Sequence, residues 1–446
     1  MTTKNRIDGI GLFAAALVVL CAITGYSMGS ERSQAAVIPA QAAAQAFKEA
    51  SALCQAEGGK LWGQSLCGPM MFVDAATHQA VLNGPSPGAV RDGEIFRLDL
   101  PAEMGLANTS WEVGGQRWTM ILWPLPQDAA QRGVLMMHES YHRIQPALGL
   151  TGGGGVGTNG HLDTRDGRVW LRAQFHALAV ALQSGGESRR SAISDALLFE
   201  AYRRSLWPEA AAEERSLELN EGLAESTGID AALAEPAARV KAALADLAKC
   251  EGYPSYVRSF AYGTGPAYAE LLDAADPGWR KKVQVDFDFG IAVAKAYKVS
   301  PQQASKTSAE RALPRYGGSE IIAQEDARKK SLDERNAHYT DLFLKGPTVG
   351  FRLEKMSITF YPREVASFED HGSVYGTLQI SDLWGTLKVE EGAALVSKDM
   401  KAVFVPASPD TTAEHLAGKG WTATLAKGYT LAPNPSKAGS FLVVRK

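Results

Sequence analysis

The sequence predicts an α+β chain, with a mainly helical core preceded by a small β-rich subdomain and followed by a C-terminal all-β domain. Three observations predict it. Residues 69–123 form short apolar runs around Gly, Asn and Asp turns. Residues 128–299 carry long Ala-rich stretches with helical spacing of their apolar positions. Beyond Gly346-Pro347 the chain breaks into short strands set off by Gly, Pro and Asp, as in a β-sandwich or small barrel. The implied segments are 1–35, 36–126, 127–345 and 346–446. With 446 residues, 45% of them hydrophobic, each segment after the first has enough chain to bury a core. The net charge is −3 and basic residues cluster only in pairs such as Arg203-Arg204, so no footprint for nucleic acid is present.

At the N-terminus, Lys4 and Arg6 precede an apolar run over residues 10–24, and small and polar residues follow through Ala36. That is the order of a secretory signal, with Ser33-Gln34-Ala35 as a cleavage site. Extended to Gly29, the run is also just long enough for an uncleaved membrane anchor. Both readings stand, and both place the body of the chain outside the cytoplasm, exported to the periplasm or held at the membrane. Cys21 follows Val18-Val19-Leu20, a poor lipoprotein signal. Cys54 and Cys67 bracket a short loop; they read either as a disulfide in an oxidising compartment or as two reduced cysteines in a small core. No CxxC pair occurs, which excludes a cysteine-rich zinc module.

Element by element, residues 46–61 read as a helix and 69–74, 79–82 and 95–98 as strands. Gly114-Gly115 between 110–113 and 116–123 is a hairpin signal. Pro124 and Pro126 then stop the sheet. Helices are expected over 169–182, 188–206, 208–227, 237–250, 261–274 and 290–297, with a Gly-rich loop at 151–160 and a charged helical connector at 319–344. The last strands fall at 357–361, 374–380, 386–389, 402–405, 421–425 and 441–444.

The helix after Asp128 carries the chemistry. Asp128 can cap it, Gln131 stands at the third helical position, and Pro146 marks its end. His138-Glu139-Ser140-Tyr141-His142 places two imidazoles four residues apart on one face, the spacing at which a tetrahedral Zn²⁺ takes two His ligands. Glu139 falls beside that face, where it can take a proton from an attacking water and pass it to a leaving amine. Val134, Leu135, Met136, Met137 and Ile144 make the helix apolar on several sides, so it is buried. The bland alternative is a pair of core histidines satisfied by hydrogen bonds.

A third ligand is available in Asn220-Glu221-Gly222-Leu223-Ala224-Glu225, on a helix that reads as opened by Pro208 and closed by Gly228. Glu214, Glu218, Glu221 and Glu225 form a row at helical spacing, which on its own describes a solvated face. Against that, Gly222 in a helix interior costs about 1 kcal/mol relative to Ala. Its missing side chain lets another helix come close.

HExxH on one helix with NExxxE on a later one resembles the gluzincin zinc peptidases, typified by thermolysin. The resemblance implies His138, His142 and Glu221 as ligands of Zn²⁺, Glu139 as general base, and Glu225 as the carboxylate that orients a His ligand. It covers the two motif helices only. In thermolysin-like enzymes the motifs lie much closer together than here, where residues 143–220 intervene. The GxMEN motif of M1-type aminopeptidases and the third His of metzincins are both missing.

Family enzymes use a Tyr or His to steady the oxyanion, and Tyr262 and Tyr268, around the presumed turn Gly263-Thr264-Gly265-Pro266, are the candidates; either can equally be a core aromatic. His161 and Asp163 read as a loop-capping pair or a rim pair, and His176 as a core histidine. The hairpin before the motif helix offers an edge strand for an extended peptide. The expected activity is an exported zinc metallopeptidase acting on a peptide or protein substrate. The rivals are a zinc hydrolase of a non-peptide amide or ester, and a zinc-stabilised binding or scaffold protein. Residues 1–40 fused to a reporter that works only in the periplasm should give periplasmic signal; a reporter that stays cytoplasmic refutes export.

Overall fold

The computed structural model describes residues 38–101, 104–150, 159–300, 304–360 and 364–446. The expected signal or anchor at 1–35 and most of the expected loop at 151–160 lie outside the described residues. The structure is α+β, with helices in the middle and an all-β C-terminal region. Its compact units are two, the first ending at Ala323 and the second beginning at Gln324.

The first unit opens with helix α1 (Ala40–Glu57) and a six-stranded sheet. The strands are β1 (Met70–Asp74), β2 (Gln79–Leu82), β3 (Val90–Asp92), β4 (Ile95–Asp99), β5 (Thr109–Val113) and β6 (Gln116–Trp123). They lie in the order β3-β4-β2-β1-β6-β5, antiparallel except for the parallel pair β1–β6, and β5 forms one edge. Alternation sorts the sheet's side chains by face. Phe72, Val81 and Ile121 join the helical core, where Phe72 stacks on Phe47 of α1. Met71, Val73, Leu82, Trp118 and Met120 build a second cluster on the other side. A disulfide joins Cys54 in α1 to Cys67 in front of β1.

The helical core follows, with α2 (Ala129–Ile144), α3 (Arg165–Gln183), α4 (Gly186–Ser205), α5 (Ala210–Leu217), α6 (Leu223–Ala232), α7 (Pro236–Glu251), α8 (Phe260–Ala275) and α9 (Phe289–Tyr297). Their starts have local causes: Asp128, Thr164 and Asp288 each accept a hydrogen bond from the backbone N–H three residues on. Between α5 and α6 the chain passes through a π-turn, Glu218–Gly222, where the Leu223 N–H bonds the Glu218 carbonyl five residues back. The expected stop at Gly228 does not occur: α6 runs on to Ala232. Gly228 is there for a different reason. A Cβ on it would lie 2.6 Å from the Val134 carbonyl oxygen and 3.2 Å from the His138 backbone N and Cβ, so glycine lets α6 lie directly on α2. The sequence Gly263-Thr264-Gly265-Pro266 is likewise not a turn but part of α8. A Cβ on Gly265 would sit 2.3 Å from the Gly222 Cα, so these small residues seat α8 against the π-turn.

The short helix α10 (Lys306–Ala312) and the long helix α11 (Gly318–Tyr339) follow, and the second unit begins inside α11. Its strands form two sheets among the described residues. One has seven strands and runs from Tyr429–Pro433 at one edge to Val365–Phe368 at the other; the second has five, from Ala417–Gly418 to Ser357–Phe360. Val349, Phe351, Val396 and Val403 of the first share a core with Ile380, Leu387, Val389 and Trp421 of the second. Among the described residues no helix is long and apolar enough to cross a membrane.

The seam at Gly228 is testable. Gly228→Ala should cost about 1–3 kcal/mol by overpacking against backbone that has little room to yield. This should appear as a lower urea midpoint with an unchanged slope. Gly84→Ala, where a Cβ meets nothing within 4 Å, is the control.

Candidate metal centre

Three elements build the site. Helix α2 presents His138, Glu139 and His142; the π-turn and the first turn of α6 present Glu221 and Glu225; α8 presents Tyr262. All lie in or against the core, with His138 3% and Glu139 4% exposed. The two imidazoles are held from behind. His138 Nδ1 lies 2.6 Å from Glu225 Oε2, and His142 Nδ1 lies 3.0 Å from the side-chain oxygen of Gln145. With each Nδ1–H donated to an acceptor, both Nε2 atoms keep their lone pairs, and they face each other 3.1 Å apart.

Glu221 closes this arrangement. Its Oε2 is 3.5 Å from His138 Nε2 and 3.4 Å from His142 Nε2. Donor atoms around a tetrahedral ion with bonds of about 2.0–2.2 Å stand about 3.3–3.6 Å apart, so the triangle has the size of one face of such a set. Glu221 is itself oriented by two donors: Asn220 Nδ2 gives to Oε1 at 3.0 Å and Tyr262 Oη gives to Oε2 at 2.7 Å. The Tyr262 ring also stacks on His138, with centroids 5.7 Å apart and planes within 4°. Behind Glu225 stands Asp246 of α7, whose carboxyl is pushed up to about 8 by burial and by the Glu225 charge.

Electrostatics show what this cluster lacks. Burial opposes a charge on His138, but Glu139, Glu221 and Glu225 outweigh it and hold its pKa well above the ordinary imidazole value. Burial likewise opposes charging His142, and Glu221 overcomes it. Burial would raise the Glu221 pKa, yet the two imidazoles pull it well below the usual carboxylate range. Burial raises Glu139. Three carboxylates around two imidazoles therefore call for positive charge at the point where the Nε2 atoms meet. One polar atom is left over: Glu139 Oε2 is buried and has no hydrogen-bond partner. His138, Glu139 and His142 offer donor atoms within 4.8 Å of one another and could hold a metal ion. The lone-pair geometry, the carboxylate donor and the charge deficit all fit one.

The structure thus brings together His138, Glu139, His142, Glu221, Glu225 and Tyr262, and leaves other candidates elsewhere. Tyr268 donates to Glu200 Oε2 and accepts from Gln174 in the core. His161 bonds Glu214 at 2.8 Å, and Asp163 holds Ser255 and the Tyr256 N–H. His176 bridges the Tyr316 carbonyl and Glu251.

The four-carboxylate row is not one face but two. Glu214 and Glu218, both fully buried, turn toward Arg203 and Arg204 of α4. Arg203 grips Glu214 through two nitrogens at 2.8 Å each, and Arg204 also reaches Glu200 and Asp288. Glu218 accepts from Thr264 at 2.7 Å, with its pKa pushed up to about 8 by burial. The helix row of Glu221 and Glu225 points the other way, to α2, because the π-turn inserts extra chain between the pairs. Gly222 does let another helix come close, and that helix is α8, through Gly265 and the Ala261 carbonyl. Two contributors went unread in the sequence, Gln145 and the Asn220 side chain. Gln145 is three residues beyond His142 and so on its face of the helix, a signal the spacing does contain.

Searches against family models, curated proteins and solved structures returned no match.

The division of the carboxylates makes a prediction for metal titrations. Glu221→Ala should abolish tight binding of a divalent ion, and Glu225→Ala should weaken it by about 10- to 100-fold. Glu218→Ala and His161→Ala should leave affinity within a few-fold while lowering stability. Metal affinity by chelator competition decides it, and tight binding by Glu221→Ala would refute the assignment.

Proposed function

We propose that this chain is an exported zinc-dependent metallopeptidase of gluzincin type. The observation that carries the reading is the pair of imidazole Nε2 atoms 3.1 Å apart, each Nδ1 pinned from behind, with Glu221 Oε2 against both. Two His and a carboxylate are a three-protein-ligand set that suits Zn²⁺ and leaves a position open. His138, His142 and Glu221 would hold the ion. When bound, zinc supplies Lewis acidity, which acidifies water and polarises a carbonyl.

The chain's own residues do the rest. Glu139 Oε2, the buried oxygen without a partner, takes the proton of the attacking water and delivers it to the leaving nitrogen. Glu225 keeps His138 in the tautomer with a free Nε2. Tyr262 orients Glu221, and serves an oxyanion only by releasing that bond. A structural zinc would have four protein ligands and no use for a carboxylate with an open oxygen, which argues against the scaffold reading.

Peptide is favoured over other amides and esters by the sheet. Strand β5 is an edge and packs against α2, the helix of His138 and His142, and its outer side pairs with no strand among the described residues. An extended peptide could add there by main-chain hydrogen bonds. Export is supported by the residue order at 1–36 and by the Cys54–Cys67 disulfide, which persists in an oxidising compartment.

The test is metal analysis of the purified full chain together with peptide hydrolysis by Glu139→Gln. The amide keeps shape and cannot accept a proton, so zinc content should match wild type while hydrolysis falls at least about a hundredfold. A protein without zinc, or a Glu139→Gln variant near wild-type activity, overturns the reading.

A further inference from the structure

We propose that Gln145 is a positioning residue that holds His142 as a metal ligand, through a side-chain amide fixed by Leu150 rather than through a carboxylate. The inference rests on the metal reading above and goes beyond the gluzincin resemblance, which assigns no role to the third residue after the second motif histidine.

Three observations carry it. First, Gln145 is only 4% exposed, and both ends of its amide are occupied. Its Nε2 donates to the Leu150 carbonyl at 3.0 Å, which leaves Oε1 as the end that faces His142 Nδ1, also at 3.0 Å. The amide orientation is therefore set by a main-chain acceptor, and an amide oxygen can meet the imidazole only through Nδ1–H. That fixes the tautomer and frees Nε2 for a metal.

Second, the residue sits on a stiff piece of chain. Gln145 begins a 3₁₀ turn, Gln145–Leu148, with Pro146 at its second position, and the turn ends at Gly149 with φ +71°. The Leu150 backbone N–H also donates back to the Gln145 carbonyl, so the same two residues are joined twice. A side chain whose own backbone and far end are both tied down loses little freedom when it grips the imidazole.

Third, charge explains the amide. Glu139, Glu221 and Glu225 already bring three carboxylates to two imidazoles. A neutral acceptor steers His142 without adding a fourth. The two histidines are thus held in the same tautomer by unlike groups, Glu225 on His138 and Gln145 on His142.

The experiment compares zinc affinity of the full chain, by competition with a chromogenic chelator, for wild type, Gln145→Met and Gln145→Glu. Methionine keeps the volume and removes the acceptor; affinity should fall about 10- to 100-fold. Glutamate keeps an acceptor for the Nδ1–H of His142 while it adds a fourth carboxylate and loses the bond to Leu150, so zinc affinity should recover to within a few-fold of wild type. Rescue by glutamate separates positioning of the imidazole from a merely structural role, since both variants lose the bond to Leu150. Wild-type affinity in Gln145→Met, or a loss in Gln145→Glu as large as in Gln145→Met, overturns the inference and leaves the metallopeptidase reading standing. Failure of wild type itself to bind zinc overturns both.

Discussion

The helical unit depends on the direct contact of α2 with α6. Gly228 removes a side chain that would hold them apart, and the resulting seam passes beside the His138 backbone. Everything at the site follows from that proximity. Glu225, one turn before Gly228 on α6, can reach His138 Nδ1 only because the two helix axes come this close. Glu221 then falls opposite both imidazoles, and α8 must follow it inward to bring Tyr262 to the same carboxylate. That second approach is again made by glycine, with Gly222 against Gly265. Two glycine contacts, one to each side of the carboxylate-bearing helix, set the positions of three elements around a point of a few ångströms.

Much of this was legible in the sequence, and for a physical reason. His138, Glu139 and His142 are adjacent in a helix whose period is fixed, so their relative placement needs no tertiary information. The strands before α2 and the β-rich C-terminal region were readable from turn residues and apolar runs, and the α+β class with them. What a sequence does not write down is which partner a small residue makes room for. Gly228 reads the same whether it ends a helix or admits one, and the run at Gly263 to Pro266 reads as a turn although it is a helix face shaved flat. Gln145 escaped because a glutamine near a helix end has many uses, and only the distance to His142 selects one.

The buried ion network beside the π-turn is costly to maintain, since charges taken out of water must find matched partners. Here Arg203 and Arg204 meet four carboxyl groups, Glu200, Glu214, Glu218 and Asp288; burial raises the pKa of Glu200 and Glu218, which brings the charges nearer to balance, and Gln174, Tyr268 and Thr264 add hydrogen bonds. Such a network tolerates few alternative arrangements. It therefore anchors the N-terminal side of the π-turn, as Tyr262 and Asn220 steady its other end at Glu221.

The π-turn itself acts as a phase shifter. In an unbroken α-helix residues 214, 218, 221 and 225 would all project within one narrow sector, because each step turns the chain by about 100°. Four carboxylates in one sector would repel one another and compete for the same cations. One extra residue in the turn rotates all that follows by about one such step, so a single continuous helix shows one acidic face to the arginines of α4 and a second to the histidines of α2. The helix is in effect a two-sided connector whose sides are set by residue count. Wound as unbroken α-helix, the same residues would keep every side chain's chemistry and bring the two acidic faces back into register.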